Sequence, residues 1–121
     1  MKITRFEEIH AWKESRTLVR LIYETVNTNS TFRRDYRLVN QIQSASVSSM
    51  SNIAEGFSRR SNKEFIQFLF IAKSSAAEVQ SQLYVALDQN YITQPIFDQI
   101  YNQAEKVSKL ISGFITYLMS L

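Results

Sequence analysis

The sequence contains no cysteine, one histidine, one proline and two glycines among its 121 residues. Without cysteine the chain has no disulfide, no thiolate metal site and no thiol nucleophile. The single His10 excludes a metal centre built from several histidines. So few chain-breaking residues argue against an all-β fold, which needs frequent turns, and against disorder. We therefore expect a small helical domain that carries few of the groups enzymes use.

Long apolar runs are also missing. No uninterrupted apolar stretch approaches the ~20 residues that a membrane span needs. The opening MKITRFEEIHAWK carries acidic residues and lacks the apolar segment of a signal peptide. Together with the absence of cysteine, these features predict a cytoplasmic protein with no membrane partner.

Four segments carry apolar residues at helical spacing, over residues 6–26, 34–55, 61–90 and 93–121. The core face predicted for the first comprises Ala11, Trp12, Ser15, Val19, Ile22, Tyr23 and Val26. In the second segment, Ser46 and Ser49 are expected inside with the apolar residues, while Ser48 is expected to face outward. Because the connections are short, neighbouring helices must run antiparallel. Residues 1–121 are therefore predicted to form a single all-α domain, an up-down-up-down four-helix bundle.

Local signals mark the ends of these helices. Gly56 follows the second segment and is predicted to end that helix with a positive φ. Ser61 and Glu64 fit a capping box at the start of the third helix. Thr93 is predicted to cap the fourth helix, with Pro95 tolerated in its first turn.

The third helix has more apolar surface than one bundle core uses. A second stripe, set apart from its core face, comprises Ile66, Phe70, Ala77 and Tyr84. The fourth helix adds Phe97 beyond its core stripe. Scattered apolar residues are normal on a protein surface, but a continuous stripe favours self-association. These four residues are the candidate oligomer interface.

The net charge is +3, and its distribution is uneven. Residues 33–73 hold seven Lys and Arg against three Asp and Glu, which is compatible with a polyanionic partner. The loop before the third helix places two arginines beside a helix N-terminus. We interpret six residues as candidate nucleic-acid-binding residues: Lys13, Arg16, Arg20, Arg59, Arg60 and Lys63. The alternative interpretation is that these are solvated cations without a partner.

No catalytic constellation is apparent. Serine is abundant, but a serine nucleophile needs a nearby base and a preformed oxyanion site, and the sequence supplies neither. The spacing Glu7-Glu8-Ile9-His10 occurs once and without the second copy that carboxylate-bridged metal bundles use. A phosphate-binding glycine loop is absent. We therefore predict no enzyme activity, cofactor or metal.

The segment from Gln41 to Glu78 resembles the four-helix-bundle family named after the 23S ribosomal RNA intervening-sequence protein. Its stretch Asn52-Ile53-Ala54-Glu55-Gly56 matches that family's hallmark, followed by an arginine- and serine-containing loop and an aromatic-rich helix, as in the family. The resemblance extends over roughly residues 6–92. Asn52, Glu55 and Gly56 are interpreted as a structural motif that organises the corner between the second and third helices.

The resemblance implies a homopentameric ring. A similar fold serves as the accessory protein of diversity-generating retroelements, where a basic pentamer engages nucleic acid and a reverse transcriptase. Two hypotheses follow. The first is a non-catalytic homo-oligomer that binds RNA or DNA through phosphate contacts. The alternative is a scaffold or accessory subunit that binds a protein partner.

Overall fold

The computed structural model describes residues 2–121, which form helices joined by short connections. A 3-10 turn at Phe6–Glu8 precedes α1 (His10–Thr28), α2 (Ser30–Arg34), α3 (Tyr36–Phe57), α4 (Asn62–Asp88) and α5 (Gln94–Met119). The long helices pack in the circular order α1, α3, α4, α5, so that α1 lies diagonally across from α4. The predicted four-helix bundle is confirmed, and the described residues contain no strand.

The long helices α4 and α5 begin at the predicted capping residues. The Ser61 hydroxyl accepts a hydrogen bond from the backbone N–H of Glu64 at 3.2 Å, and Thr93 Oγ1 accepts from the N–H of Ile96 at 3.4 Å. These contacts satisfy N–H groups that have no partner inside their helices. The Glu64 carboxylate accepts from the Ser61 hydroxyl at 3.2 Å.

The first connection contains a short helix, α2, where the sequence predicts a polar loop. Asn29 caps it, accepting from the N–H of Phe32 at 2.8 Å. Asp35 then caps α3 by accepting from the N–H of Leu38 at 3.1 Å. Phe32 is buried in the core, so tertiary packing stabilises a turn whose residues have weak helix propensity.

Tyr91 ties this connection to the one between α4 and α5. Its hydroxyl donates to Asp35 Oδ2 at 2.9 Å, and its ring stacks on Phe32 with centroids 5.2 Å apart. Asn29 Nδ2 donates to the Tyr91 carbonyl at 2.8 Å. The preceding residue, Asn90, has a φ of +61°, which turns the chain into this position. Both connections are therefore held together at one end of the bundle.

The core differs from the predicted face on α1. Leu18 is fully buried, whereas Val19 is half-buried and Tyr23 is 39% exposed. The reason is that α1 packs against both α3 and α5, so its buried face is the one directed between these two helices. Tyr23 lies outside that face, beside α3. On α5, Phe97 is buried against Tyr84, with ring centroids 4.8 Å apart, and is not part of a surplus outer face.

Candidate nucleic-acid interface

Three of the predicted cations form one exposed row on the outward face of α1. Lys13, Arg16 and Arg20 are spaced so that the helix brings them to neighbouring positions. The row spans roughly 10 Å by helix rise. The Arg16 guanidinium lies over the Trp12 ring, 6.0 Å from its centroid. Arg20 Nε lies 3.8 Å from Glu24 Oε1, a long ion pair between exposed groups that leaves most of the guanidinium free.

Arg33 extends this row beyond the end of α1. Its Nη1 donates to the Asn27 carbonyl at 3.0 Å, placing the side chain over the last turn of the helix. Arginines commonly bind the unpaired carbonyls of a helix C-terminus, and that preference is the signal in the sequence that points to Arg33. Lys13, Arg16, Arg20 and Arg33 are called the α1 ridge below.

The loop between α3 and α4 holds the other predicted cations. The Arg59 guanidinium stacks over the Phe68 ring, 4.6 Å from its centroid. This cation–π contact fixes the side chain while leaving the edge of the guanidinium free to donate. Arg60 and Lys63 are exposed, with the exposed acids Glu55 and Glu64 in the same corner. Residues 58–63 are called the corner loop.

The Lys13 end of the α1 ridge and the corner loop lie at the same end of the bundle. The corner loop connects α3, which packs against α1, to α4, which lies diagonally across from α1. The turn Phe6–Glu8 contacts both α1 and α3, and beside it Arg5 Nη2 lies 2.8 Å from Glu7 Oε2. That hydrogen bond lowers the pKa of Glu7, and hydrogen bonds from Thr4 and Arg5 lower the pKa of Glu8. This end of the bundle therefore carries carboxylates as well as cations.

Gly56 does not have the predicted positive φ, and that prediction is wrong. The helix continues through Gly56 to Phe57. A Cβ at Gly56 would lie 2.7 Å from the Phe68 Cβ and 2.8 Å from Phe65 Cδ1. The glycine is needed because α3 and α4 approach each other too closely here for any side chain.

Asn52 takes part in a polar chain that links α3 to α4. Its Nδ2 donates to the Ser48 carbonyl at 2.9 Å and to Ser48 Oγ at 3.0 Å. The Ser75 hydroxyl donates to Ser48 Oγ at 2.9 Å. Ser48 is thus half-buried rather than solvent-facing, whereas Ser46 and Ser49 are buried as predicted. Glu55 is exposed, and within residues 2–121 its carboxylate forms no hydrogen bond or ion pair.

The outer face of α4 exposes large apolar side chains. Phe70 is 48% exposed and Tyr84 51%, while Ala77 is exposed and Ile66 is half-buried against the core. Two further residues, Ile71 at 50% and Val85 at 45%, widen this surface beyond the predicted stripe. The set Phe70, Ile71, Ala77, Tyr84 and Val85 is called the α4 apolar face. Glu78 is the charged residue among them on the outer side of the helix.

Neither a metal cluster nor a membrane span emerges from the described part of the chain. In residues 2–121, His, Asp and Glu side chains do not gather in groups of three or more that could hold a metal ion. No helix in the same range is long and apolar enough to cross a bilayer.

The fold and surface define a small helical-bundle protein with an exposed cationic ridge. The family model of the 23S rRNA-intervening sequence protein matches residues 7–113. The chain therefore belongs to the 23S rRNA-intervening sequence protein family, and the predicted resemblance is confirmed.

A solved structure shares this fold. It is a protein of unknown function from the S23 ribosomal protein family of Bacteroides thetaiotaomicron, 24% identical, with a TM-score of 0.78. The match covers 87% of this chain and 97% of that protein. No curated protein matches this sequence.

Proposed function

We propose that this chain is a non-catalytic subunit of a homo-oligomer that binds RNA or DNA through phosphate contacts along the α1 ridge. The observation that carries the proposal is four exposed cations in one row. Within residues 2–121, Arg20 is the one member of the row that forms an ion pair, with Glu24. The name of the family, which refers to an intervening sequence of 23S rRNA, supports RNA as the polyanion.

Binding through the ridge is sequence-tolerant. Phosphate contacts position a protein on nucleic acid, whereas base contacts give specificity. The aromatic residue within the ridge, Trp12, is buried beneath Arg16 and offers no free face on which a base could stack. Each neutralised phosphate steepens the salt dependence, with log–log slopes of about −0.7 to −0.9 per contact.

Self-association is supported by the α4 apolar face. Four large apolar side chains between 45% and 51% exposed lie along one helix, and burying such a patch in a second copy removes it from water. The ridge is not part of the α4 apolar face, because α1 lies diagonally across from α4. Each subunit of a ring also contacts a second neighbour through another surface, and the proposal requires that surface to leave the ridge free. In a pentameric ring, the state that the family resemblance implies, the ridge repeats around the axis and multivalency raises the avidity.

Fluorescence anisotropy with generic RNA and DNA oligonucleotides at low and high salt tests the ridge. Arg16→Gln/Arg20→Gln is expected to weaken binding and flatten the salt dependence. The matched control, Arg34→Gln/Arg37→Gln, removes the same charge from exposed positions outside the ridge and is expected to bind like wild type. Arg59→Gln/Arg60→Gln reports separately on the corner loop. Equal binding by the ridge variant and the control, or no binding by wild type at low salt, would reject the proposal.

The alternative is a scaffold whose α4 apolar face binds a different protein. The same exposed side chains support it, because an apolar patch fits either kind of partner. Size-exclusion chromatography with light scattering separates the two. The homo-oligomer proposal requires a mass several times the 14.1 kDa of one chain, reduced to one chain by Phe70→Glu. A monomeric wild type would favour the scaffold.

A further inference from the structure

A cleft of 540 Å³ lies where the N-terminal segment, the start of α1 and the last turns of α5 meet. Its floor is formed by Ile3, Leu110 and Phe114, which are half-buried and pack against the core. This volume and apolar lining are typical of small-molecule sites. The cleft shares Lys13 with the α1 ridge but is otherwise separate from the surfaces described above.

Gly113 is the second observation at this cleft. It lies inside α5, where a glycine is less favourable than alanine by up to about 1 kcal/mol. A Cβ built at Gly113 would meet no atom within 4 Å, so packing within the chain does not require a glycine here. The missing side chain leaves the helix backbone open to the cleft, and close backbone approach by a ligand is one established use of glycine.

The charges around the cleft are arranged asymmetrically. Gln103 Nε2 donates to the Glu14 carbonyl at 2.8 Å, and Lys106 Nζ lies 3.3 Å from Glu14 Oε1. This register between the antiparallel helices brings Lys109 close to the first turn of α1, and Lys109 lines the cleft together with Lys13 and the apolar floor. Within residues 2–121, neither Lys13 nor Lys109 forms an ion pair.

The acid at the cleft, Glu8, is directed toward its own turn. Its Oε1 accepts hydrogen bonds from Thr4 N at 2.7 Å, from Thr4 Oγ1 at 3.0 Å and from Arg5 N at 3.0 Å. His10 adds a further donor at the rim. The cleft therefore offers cations at one end and an apolar trough, roughly 12 Å long by helix rise from Lys109 to Tyr117, at the other.

We propose that this cleft binds an acyl carboxylate of medium chain length. The carboxylate lies between Lys109 and Lys13, and the acyl chain runs over the open backbone at Gly113 toward Phe114. Cations at one end and apolar residues at the other complement such a ligand in both charge and polarity. The site shares Lys13 with the α1 ridge, but Gly113 and Lys109 belong to neither the α1 ridge nor the corner loop. Variants at Gly113 and Lys109 therefore test this site separately from the proposed nucleic-acid function.

Titration with decanoate below its micelle-forming concentration tests the proposal, by calorimetry and by amide NMR. The chain has two glycines, so their amide signals are easily followed. The Gly113 signal is expected to shift with saturation while the Gly56 signal stays in place. Decanol, which has the same chain without the charge, is expected to bind more weakly.

Two variants make the test specific. Gly113→Leu places a side chain in the proposed path of the acyl chain and is expected to abolish decanoate binding with no loss of helical circular dichroism. Lys109→Gln is expected to weaken decanoate binding about two- to fivefold, the range of a solvent-exposed ion pair, and to leave decanol binding unchanged. Arg34→Gln, which removes a charge at the other end of the bundle, is the matched control. Absence of saturable decanoate binding by wild type, or unchanged affinity in Gly113→Leu, would overturn the proposal.

Discussion

A single added methyl group should be costly at Gly56. The helix α3 runs through this residue, which is buried against the first turns of α4. In Gly56→Ala the new Cβ would lie 2.7 Å from the Phe68 Cβ, a distance that real Cβ atoms essentially never show. The Phe68 Cβ is attached directly to its backbone and cannot rotate away. The Phe65 ring, 2.8 Å away, is buried and packs on Phe57 and Phe114.

The two helices must therefore separate locally to admit the methyl group. Overpacking of this kind costs about 1–3 kcal/mol, and the backbone shift places Gly56→Ala toward the upper end of that range. Alanine recovers up to about 1 kcal/mol through its better helix propensity. The net loss of unfolding free energy is expected to be about 1–2 kcal/mol. Gly56→Val should lose more, because its branched side chain adds volume at the same contact.

Urea denaturation followed by circular dichroism measures this loss, and Gly113→Ala is the matched control. Gly113 also lies inside a helix, but open space surrounds it, so alanine should raise stability by up to about 1 kcal/mol. In a Phe65→Leu background, which removes the ring contact, Gly56→Ala should be less costly than in wild type. If Gly56→Ala proved as stable as wild type, the close approach of α3 and α4 at this point would be refuted.

Three further predictions concern buried hydroxyls, a turn and acid stability. The Ser49 hydroxyl is buried without a hydrogen-bond partner in residues 2–121, whereas the Ser15 hydroxyl donates to the Ala11 carbonyl at 2.7 Å. Thermal melts should therefore show Ser49→Ala to be more stable than Ser15→Ala by about 1 kcal/mol. Asn90→Ala should destabilise the fold by about 1 kcal/mol and Asn90→Gly should not, because only the alanine resists a positive φ; equal urea midpoints would contradict this. A hydrogen bond from Gln103 lowers the pKa of Glu14 from its ordinary value of 4.5. The ionised Glu14 therefore stabilises the folded protein above pH 4.5, and this stabilisation is lost as the pH falls through the pKa of Glu14 in the folded state. The unfolding free energy of Glu14→Gln should fall less than that of wild type as the pH is lowered. Parallel profiles of unfolding free energy against pH for the two proteins would argue against this assignment.

The helices and their starts could be predicted because they depend on local residue patterns. Ser61 and Thr93 act through side chains that reach only a few residues along the chain, and both cap helices as predicted. Gly56 shows the limit of that reasoning. A glycine near a helix end commonly indicates a positive φ, but here it accommodates Phe68 from another helix. That contact depends on how two helices pack, which the residues around Gly56 do not encode.

The relative placement of the two sets of cations also depends on how the helices pack. The sequence places Lys13 and Arg59 at one end of a bundle, since both lie near helix ends that antiparallel packing brings together. Whether they share a surface depends on how the corner loop lies between α3, which packs against α1, and α4, which lies diagonally across from α1. Arg33 lies far from Lys13 in the sequence but joins the ridge, because α2 folds its side chain back over the end of α1. An oligomer built through α4 would set each corner loop near a subunit boundary. The α1 ridge stays accessible in such an oligomer if the second contact surface of each subunit lies away from α1. The two cationic sets would then meet different parts of a bound polyanion, and their variants should have separable effects on affinity.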